Sequence, residues 1–463
     1  SAYIVWEDKR NGWSSDIYAQ KINTNGVAEW GNGMPINIID GTQAQPRLTT
    51  DGVGGVFIVW EDQRNSNESG VDIYAQHVNS EGIITYSTDG LLICDADELQ
   101  FNPLVRNDGN GGAIIVWGDQ RTGGSYGMYL QHLNSSGITL PIGGQDSFFG
   151  IATDAANEPY QHDILFLGDD ASLVYWQDNR WGYPTIYGTT ISSSFDGVSD
   201  YFTNGSINGK QLSSLTLSQK SPKAILTDNN IFLSFIVEES PNENLYFQLL
   251  DNNLNQIGSP ESLTDPNTSK QGFQMVLGND GRIYFAYSEG YNITLQKLNQ
   301  FGNKEWDSQV VSNTSDDIIK AIHPMPGSGA VLIYESQHWE TGKFVNAIAV
   351  DGNGQIISGW PVTISTASGD VYYENSIVTS EGVYVSFIDE SAGNVDLMGQ
   401  YISFSGNLNW GSTGLVIANS GNDEQNSNIA YNASQNSALI CYEVLSSSEI
   451  DIICKDIQLS SQT

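Results

Sequence analysis

Apolar residues along this chain come in runs of four to eight, separated by clusters of Gly, Asn, Asp and Ser. The 3.6-residue period of an amphipathic helix is almost absent, so the pattern predicts antiparallel strands and tight turns, an all-β class. The runs "YIVWED", "FIVWED", "IIVWGD" and "LVYWQD" are apolar at nearly every position and end in an acid. Each is followed by a second run, "DIYAQKI", "DIYAQHV", "GMYLQHL" and "TIYGTTI". Continuous apolarity on alternating faces predicts strands buried on both sides.

The runs repeat. Their tryptophans fall at Trp6, Trp60, Trp117 and Trp176, with spacings of 54, 57 and 59 residues. Further on the words decay, but an apolar run ending in an acid persists, with Val237, Tyr287, Tyr334, Ile388 and Tyr442 at the marker position. Nine paired runs result, with two weaker elements between successive pairs, so the unit is about four short strands in roughly 50 residues. Four antiparallel strands repeated radially predict a single β-propeller over residues 1–463, with well-kept repeats in 1–190 and divergent ones in 191–463. The first copy lacks its first strand and the last lacks its fourth, which predicts either eight or nine blades with an unusual closure or a chain trimmed from a longer protein. Asp-Gly in "TDGVGG" (50–55), "NDGNGG" (107–112) and "NDGR" (279–282) supplies the turn between first and second strands.

On these residues the "VWEDxRN…DIYAQ…N..G…W" repeat resembles the secreted propeller-repeat proteins of Bacteroidetes-like bacteria, which are often exported by type IX secretion. The likeness covers 1–190 and fades afterwards. The third turns "NTNGVAEW" (23–30), "NQFGNKEW" (299–306) and "SFSGNLNW" (403–410) resemble, in degenerate form, the Asp-box hairpin of sialidase-like propellers. That resemblance implies fold and not activity.

Composition narrows the function. Lys and Arg total 18 against 54 Asp and Glu, a formal net charge of −36, which opposes nucleic acid and anionic membranes and favours solubility and cation binding. No run approaches the ~18 apolar residues of a membrane-spanning helix. Richness in Asn, Gly and Ser with little Lys fits an extracellular or cell-surface protein. Three cysteines are too few for a disulfide scaffold. Cys441 and Cys454 lie on the two arms of the last hairpin, either bridged or as two buried thiols, and Cys94 stays single.

Trp6, Asp8 and Arg10 alternate along one strand face, as do Trp60, Asp62 and Arg64, then Trp117, Asp119 and Arg121, then Trp176, Asp178 and Arg180. Because the trio recurs, it reads as structural: Trp fills the space between blades while Asp and Arg tie the strand end by charged hydrogen bonds. Arg47, Arg106 and Arg282 are the arginines outside the repeat, and nothing aligns them with the carboxylate-binding triad of sialidases. His77 and His132 sit where other copies have Lys21 and Lys297, a position expected to be a tolerant surface one, and no zinc spacing occurs. Oxygen-rich turns such as "DGNG" (351–354) are suited to Ca²⁺ but are equally ordinary turn chemistry, and no cofactor is required. "ENLYFQ" (243–248) matches a viral processing-protease site but falls in the register of a third strand.

The loop between the paired strands varies while its supports repeat, which is where binding usually resides. These loops carry Trp13, Tyr126, Trp181, Tyr183, Tyr291 and Trp339, aromatic faces able to stack on sugars or anchor a protein, or alternatively to cap their own hairpins. The leading expectation is therefore a non-catalytic binding or scaffold propeller recognising carbohydrate or a surface protein through loops on one face. The competing one is a propeller glycoside hydrolase, sialidase-like enzyme or lyase drawing on Glu238, Glu239, Glu289, Glu335, Asp389 and Glu390 of the divergent half. A third is a structural subunit of a larger surface assembly.

Overall fold

The structure is a computed structural model that describes residues 1–121, 126–139, 149–152, 160–168, 171–192, 209–228, 230–264, 270–289, 292–307, 309–312, 317–338, 342–366, 369–391, 393–446 and 450–459. Among these residues there is no helix, and none long and apolar enough to cross a membrane. The described residues form thirty-four strands in nine antiparallel sheets. Seven are four-stranded, in the sequential order of a propeller blade, and the first and last are three-stranded. The fold is a β-propeller, and the expectation of nine second-third strand pairs holds throughout. Blades 1 to 9 cover residues 2–37, 43–94, 100–152, 160–211, 219–262, 270–312, 318–363, 371–418 and 423–458. Among the described residues blade 1 has no first strand and blade 9 no fourth.

Contacts divide the chain into two compact units: Ser1–Asn23 with Ala28–Glu239 and Leu245–Thr264, and Thr24–Val27 with Ser240–Asn244 and Asp265–Thr463. Blades 2–4 and most of blades 1 and 5 lie in the first, and blades 6–9 in the second. Within each unit the cores lie between consecutive blades. Val59, Ile73 and Ala75 of blade 2 pack with Ile115, Trp117 and Tyr129 of blade 3, and Ile333 and Val345 of blade 7 with Val383 and Phe387 of blade 8. This two-sided burial is why the second strands read as unbroken apolar runs.

The marker position is aromatic in every blade, which corrects two assignments made from sequence. Gln219 pairs with Val237 as Gln43 pairs with Asp62, so the residue equivalent to Trp60 is Phe235. Phe387 faces Met398 as Trp60 faces Tyr74, so Phe387 and not Ile388 holds the position in blade 8. The ring fills the volume under the entry to the fourth strand. Glycine is required there: a Cβ on Gly90 would lie 2.7 Å from the Trp60 ring, and one on Gly414 would lie 3.0 Å from Phe387.

The Asp-Gly turns form as expected. Asp51 Oδ1 accepts from the N–H groups of Val53 and Gly55 at 2.9 and 2.7 Å, with Gly52 and Gly54 at φ of 82° and 101°. The third turns are closed alike by Asn79, Asn134, Asn299 and Asp351, each accepting two turn N–H groups. Asp351 Oδ1 is thus engaged by its own "DGNG" turn. "ENLYFQ" lies within Asn242–Leu250, the third strand of blade 5, with Gln248 buried. Cys441 and Cys454 are directly opposite on the last hairpin and form a disulfide, while Cys94 is a buried free thiol.

Candidate functional site

The Trp-Asp-Arg trio is a fork closed by a fourth residue. In blade 2, Asp62 accepts from Trp60 Nε1 at 2.8 Å, from the Arg64 backbone N–H and Nε at 2.9 Å each, and from Arg64 Nη2 at 2.7 Å. The Arg64 guanidinium then lies 3.7 Å over the ring of Tyr74 on the third strand. Arg10 on Tyr18, Arg121 on Tyr129 and Arg180 on Tyr187 repeat this at 4.1, 3.8 and 3.6 Å. The arginine also reaches past the fork, Arg64 Nη2 to the Asp89 carbonyl at 2.8 Å and Arg10 Nη1 to the Asn32 carbonyl at 2.9 Å, so the fork anchors the strand end to the approach of the fourth strand. The tyrosine was legible as the third letter of "DIYAQ" but carried no signal of its partner.

Sequence gave no role to the acid between Trp and Asp. Each first strand carries a bulge, with left-handed backbone at Gln45, Asn102, Gln161, Ser221 and Asn426 (φ between 50° and 55°). A bulge frees a ladder N–H that must find another acceptor. The preceding blade supplies it: Glu7 Oε1 accepts from Gln45 N at 2.9 Å, Glu61 from Asn102 N at 2.8 Å, and Glu335 from Tyr373 N at 2.7 Å. Gln177 plays the part for Ser221 at 3.3 Å. Burial pushes the Glu61 carboxyl above the usual range, against the Asn102 N–H that lowers it. In blade 3 the position is Gly118, where a Cβ would lie 2.6 Å from the Phe101 ring.

The position shared by Lys21, His77, His132 and Lys297 is buried at both histidines, correcting the expectation of a tolerant surface site. His77 Nε2 lies 3.1 Å from Asp51 Oδ2 and His132 Nε2 lies 2.7 Å from Asp108 Oδ2, while Lys297 Nζ lies 3.1 Å from Asp280. Each ties a third strand to the Asp-Gly turn of its own blade. Among the described residues no group of three or more His, Cys, Asp or Glu is placed to hold a metal ion.

The hairpin loops between second and third strands present three of the expected aromatic faces. Trp13 is fully exposed, Trp181 is 61% exposed and Tyr126 is 40% exposed. Trp181 is also held in place: its Nε1 donates to Tyr187 Oη at 2.8 Å, and Tyr187 is the ring clamped by Arg180. Tyr126 leans edge-on against Phe101 with centroids 5.2 Å apart, and Tyr183 is half-buried. Tyr291 and Trp339 lie outside the described residues.

The acids of the divergent half, Glu390 apart, have partners for their side chains. Glu238 pairs with Lys220, Glu239 accepts from Tyr246 Oη, Glu289 pairs with Lys270, and Glu335 caps Tyr373 N while pairing with Lys320. Asp389 Oδ1 accepts from Ser391 N, and the Glu390 backbone N–H donates to Asp370 O. Of the three arginines outside the repeat, Arg282 pairs with Glu305 in blade 6, whereas Arg47 and Arg106 lie exposed on first strands.

On the first strands of blades 3–5 and the second strand of blade 4 a polar group assembles that sequence did not single out. His162 Nε2 meets the Asn102 carbonyl at 3.1 Å, so Nε2 carries the proton. Tyr175 Oη donates to Asp163 Oδ2 at 3.2 Å and accepts from Ala224 N at 3.3 Å. Burial pulls His162 and Lys223 below their usual ranges and pushes Tyr175 up, with Asp163 opposing the first two shifts and reinforcing the third. The signal available in sequence was the bulge residue followed by His-Asp or Pro-Lys.

No protein-family model matches the chain, and no curated protein matches it. Among solved structures, it is similar to polysaccharide lyase Uly1 at 10% identity and a TM-score of 0.43, over 82% of this chain and 93% of that one. It is similar to a puromycin hydrolase at 11% identity and a TM-score of 0.43, over 76% of this chain and 52% of that one. A thermostable family-43 glycoside hydrolase aligns at 12% identity and a TM-score of 0.29, over 60% and 95%. The chain spans about half the length of the puromycin hydrolases it matches.

Proposed function

We propose that this propeller is an extracellular or cell-surface binding protein that recognises carbohydrate through the loops between second and third strands. The observation that carries this is Trp181, an indole 61% exposed yet fixed by Tyr187, Arg180 and Asp178. An apolar ring held open to water is preorganised for stacking, because little side-chain entropy remains to be lost when a sugar face covers it. Fully exposed Trp13 on the equivalent loop of blade 1 supplies a second face. The high Asn, Gly and Ser content with scarce Lys supports the extracellular assignment.

A glycoside hydrolase or lyase reading draws on one specific feature, the His162, Asp163, Tyr175 and Lys223 group, whose members are of types that serve as acids and bases. One experiment separates the two. Glycan-array binding with and without Ca²⁺ is measured on the native chain and on Trp13→Ala and Trp181→Ala, with released products analysed in parallel. Binding that weakens at least tenfold in a still-folded Trp181→Ala supports the aromatic loop face. Product release selects the enzyme, and binding unaffected by either variant overturns the proposal.

A further inference from the structure

Cations are scarce in this chain and unevenly placed. The first strands of blades 2–5, Gln43–Thr50, Gln100–Asn107, Tyr160–Gly168 and Gln219–Leu226, carry Arg47, Arg106, His162, Lys220 and Lys223 against a single carboxylate, Asp163. Across the whole chain acids outnumber Lys and Arg 54 to 18. The first strands of blades 6–9 lack this excess, with Lys270, Lys320 and His323 matched by Glu374, Asp423 and Glu424. There the lysines are consumed by Glu289 and Glu335.

In the first unit Lys220 pairs with Glu238, but Arg47 and Arg106 make no ion pair among the described residues, and the only hydrogen bond from the Arg47 guanidinium goes to the Pro46 carbonyl. The strands that carry them are joined side by side. Asn107 Nδ2 donates to Thr50 O at 2.8 Å, His162 to Asn102 O at 3.1 Å, and Ser221 N to Gln161 Oε1 at 3.1 Å. Arg106 acts on Tyr175, which contacts Asp163 and the backbone beside Lys223, so the groups form one continuous wall.

We propose that this first-strand wall of blades 2–5 is a binding site for an oxyanion, the carboxylate or sulfate group of an acidic ligand, with Arg106 and Lys223 as its principal cations and Arg47 extending it. The Arg106 guanidinium, without a carboxylate ion pair, offers paired N–H donors in the geometry that carboxylate and sulfate accept, while Arg47 is shared with the nearby Glu61 carboxylate. The surrounding acidic surface sets the direction of selectivity: an anion is repelled nearly everywhere else, so binding at the wall is local and not a general attraction to the protein. Asp163 stands against the ligand and limits its affinity. The site is independent of the aromatic loop face.

The test is calorimetric titration of the full chain at constant ionic strength with sodium sulfate, sodium glucuronate and glucose. Variants are Arg106→Gln, Asp163→Asn and, as a charge-matched change elsewhere, Lys304→Gln. Expected is saturable binding of an anion but not of glucose, about tenfold weaker in Arg106→Gln and at least about threefold tighter in Asp163→Asn. Lys304→Gln should leave it unchanged. Binding of both anions, or of sulfate or glucuronate alone, supports the site and distinguishes an inorganic oxyanion from a sugar acid. The site is overturned by no anion binding, by glucose binding equally, or by Lys304→Gln matching Arg106→Gln. Tightening by Asp163→Asn is the reading that loss of fold cannot produce.

Discussion

Removing the Asp62 carboxylate should destabilise the first unit far more than removing Asp8, although the two forks have the same four letters. Asp62 is completely buried and receives five hydrogen bonds, one of them from Asn37 Nδ2, and the Arg64 side chain is only 11% exposed above Tyr74. Asp62→Ala therefore strands a desolvated guanidinium and an indole N–H together, and deletion of one partner of a buried ion pair costs about 3–5 kcal/mol. In blade 1 Arg10 is 40% exposed, so water reaches the charge that Asp8→Ala leaves behind and the cost falls to about 1 kcal/mol. The assay is urea denaturation followed by tryptophan fluorescence, comparing midpoints at equal slope. The mechanism makes a further demand: Asp62→Ala combined with Arg64→Met should be more stable than Asp62→Ala alone, because the uncompensated charge is gone. A cost for Asp8→Ala equal to that of Asp62→Ala, or a double variant that simply adds two losses, would refute the argument.

Acid should act on the Asp-Gly turns. Burial works to raise Asp51 and Asp108, but turn N–H groups and His77 or His132 outweigh it and hold both carboxyls below the usual range. Carboxyls depressed in the folded state contribute stability that is present above the unfolded aspartate value near about 4 and is lost as pH falls through the depressed one. Melting temperature should drop in that window, and Asp51→Asn with Asp108→Asn should flatten the drop. Thiol titration should count none in the native oxidised protein, since Cys94 is buried with its thiol pushed up to about 12, one after unfolding, and three after unfolding with reductant. Gly90→Ala, whose Cβ would lie 2.7 Å from the Trp60 ring, should cost about 1–3 kcal/mol in the same urea assay. Gly111→Ala has open space around it and should cost only its backbone strain, about 1 kcal/mol.

How far the sequence could be read depended on distance along the chain. The fork, the Asp-Gly turns and the strand pairs join residues within about one hairpin, and repetition exposed them. The glutamate clasps join Glu7 to Gln45 and Glu61 to Asn102, partners 38 and 41 residues apart whose link is an N–H freed by a bulge, an event without a side-chain signature. The buried pairs at His77 and His132 were missed for a related reason. Exchange between His and Lys reads as surface tolerance unless the opposing aspartate is known, and that aspartate had been accounted for as a turn residue. The aromatic marker was misplaced in blades 5 and 8 because their apolar runs place a ring earlier than the words "FIVEES" and "SFIDE" lead one to count.

Blades 5–9 separate what the blade requires from what it can exchange. The ring persists as Phe235, Tyr287, Tyr334, Phe387 and Tyr442, so the volume beneath the fourth strand must be filled. The Asp-Arg fork does not persist. In its place Tyr246 Oη donates to Glu239 at 2.8 Å, Lys270 pairs with Glu289 at 3.0 Å, and Ser391 N donates to Asp389 at 2.8 Å. A tie at the strand end is needed, but its chemistry is free, and a device replaced this readily serves the scaffold. The first strands behave differently. Their bulges and interblade N–H bonds recur, yet the charged residues set on that frame differ: Glu374 joins the frame, its Oε2 accepting from Ser427 N at 2.7 Å, whereas Arg47 and Arg106 make no ion pair among the described residues. Variation mounted on a repeated and rigid support is what a recognition surface needs, which places the molecule's chemical individuality on its first strands and its exposed loop rings.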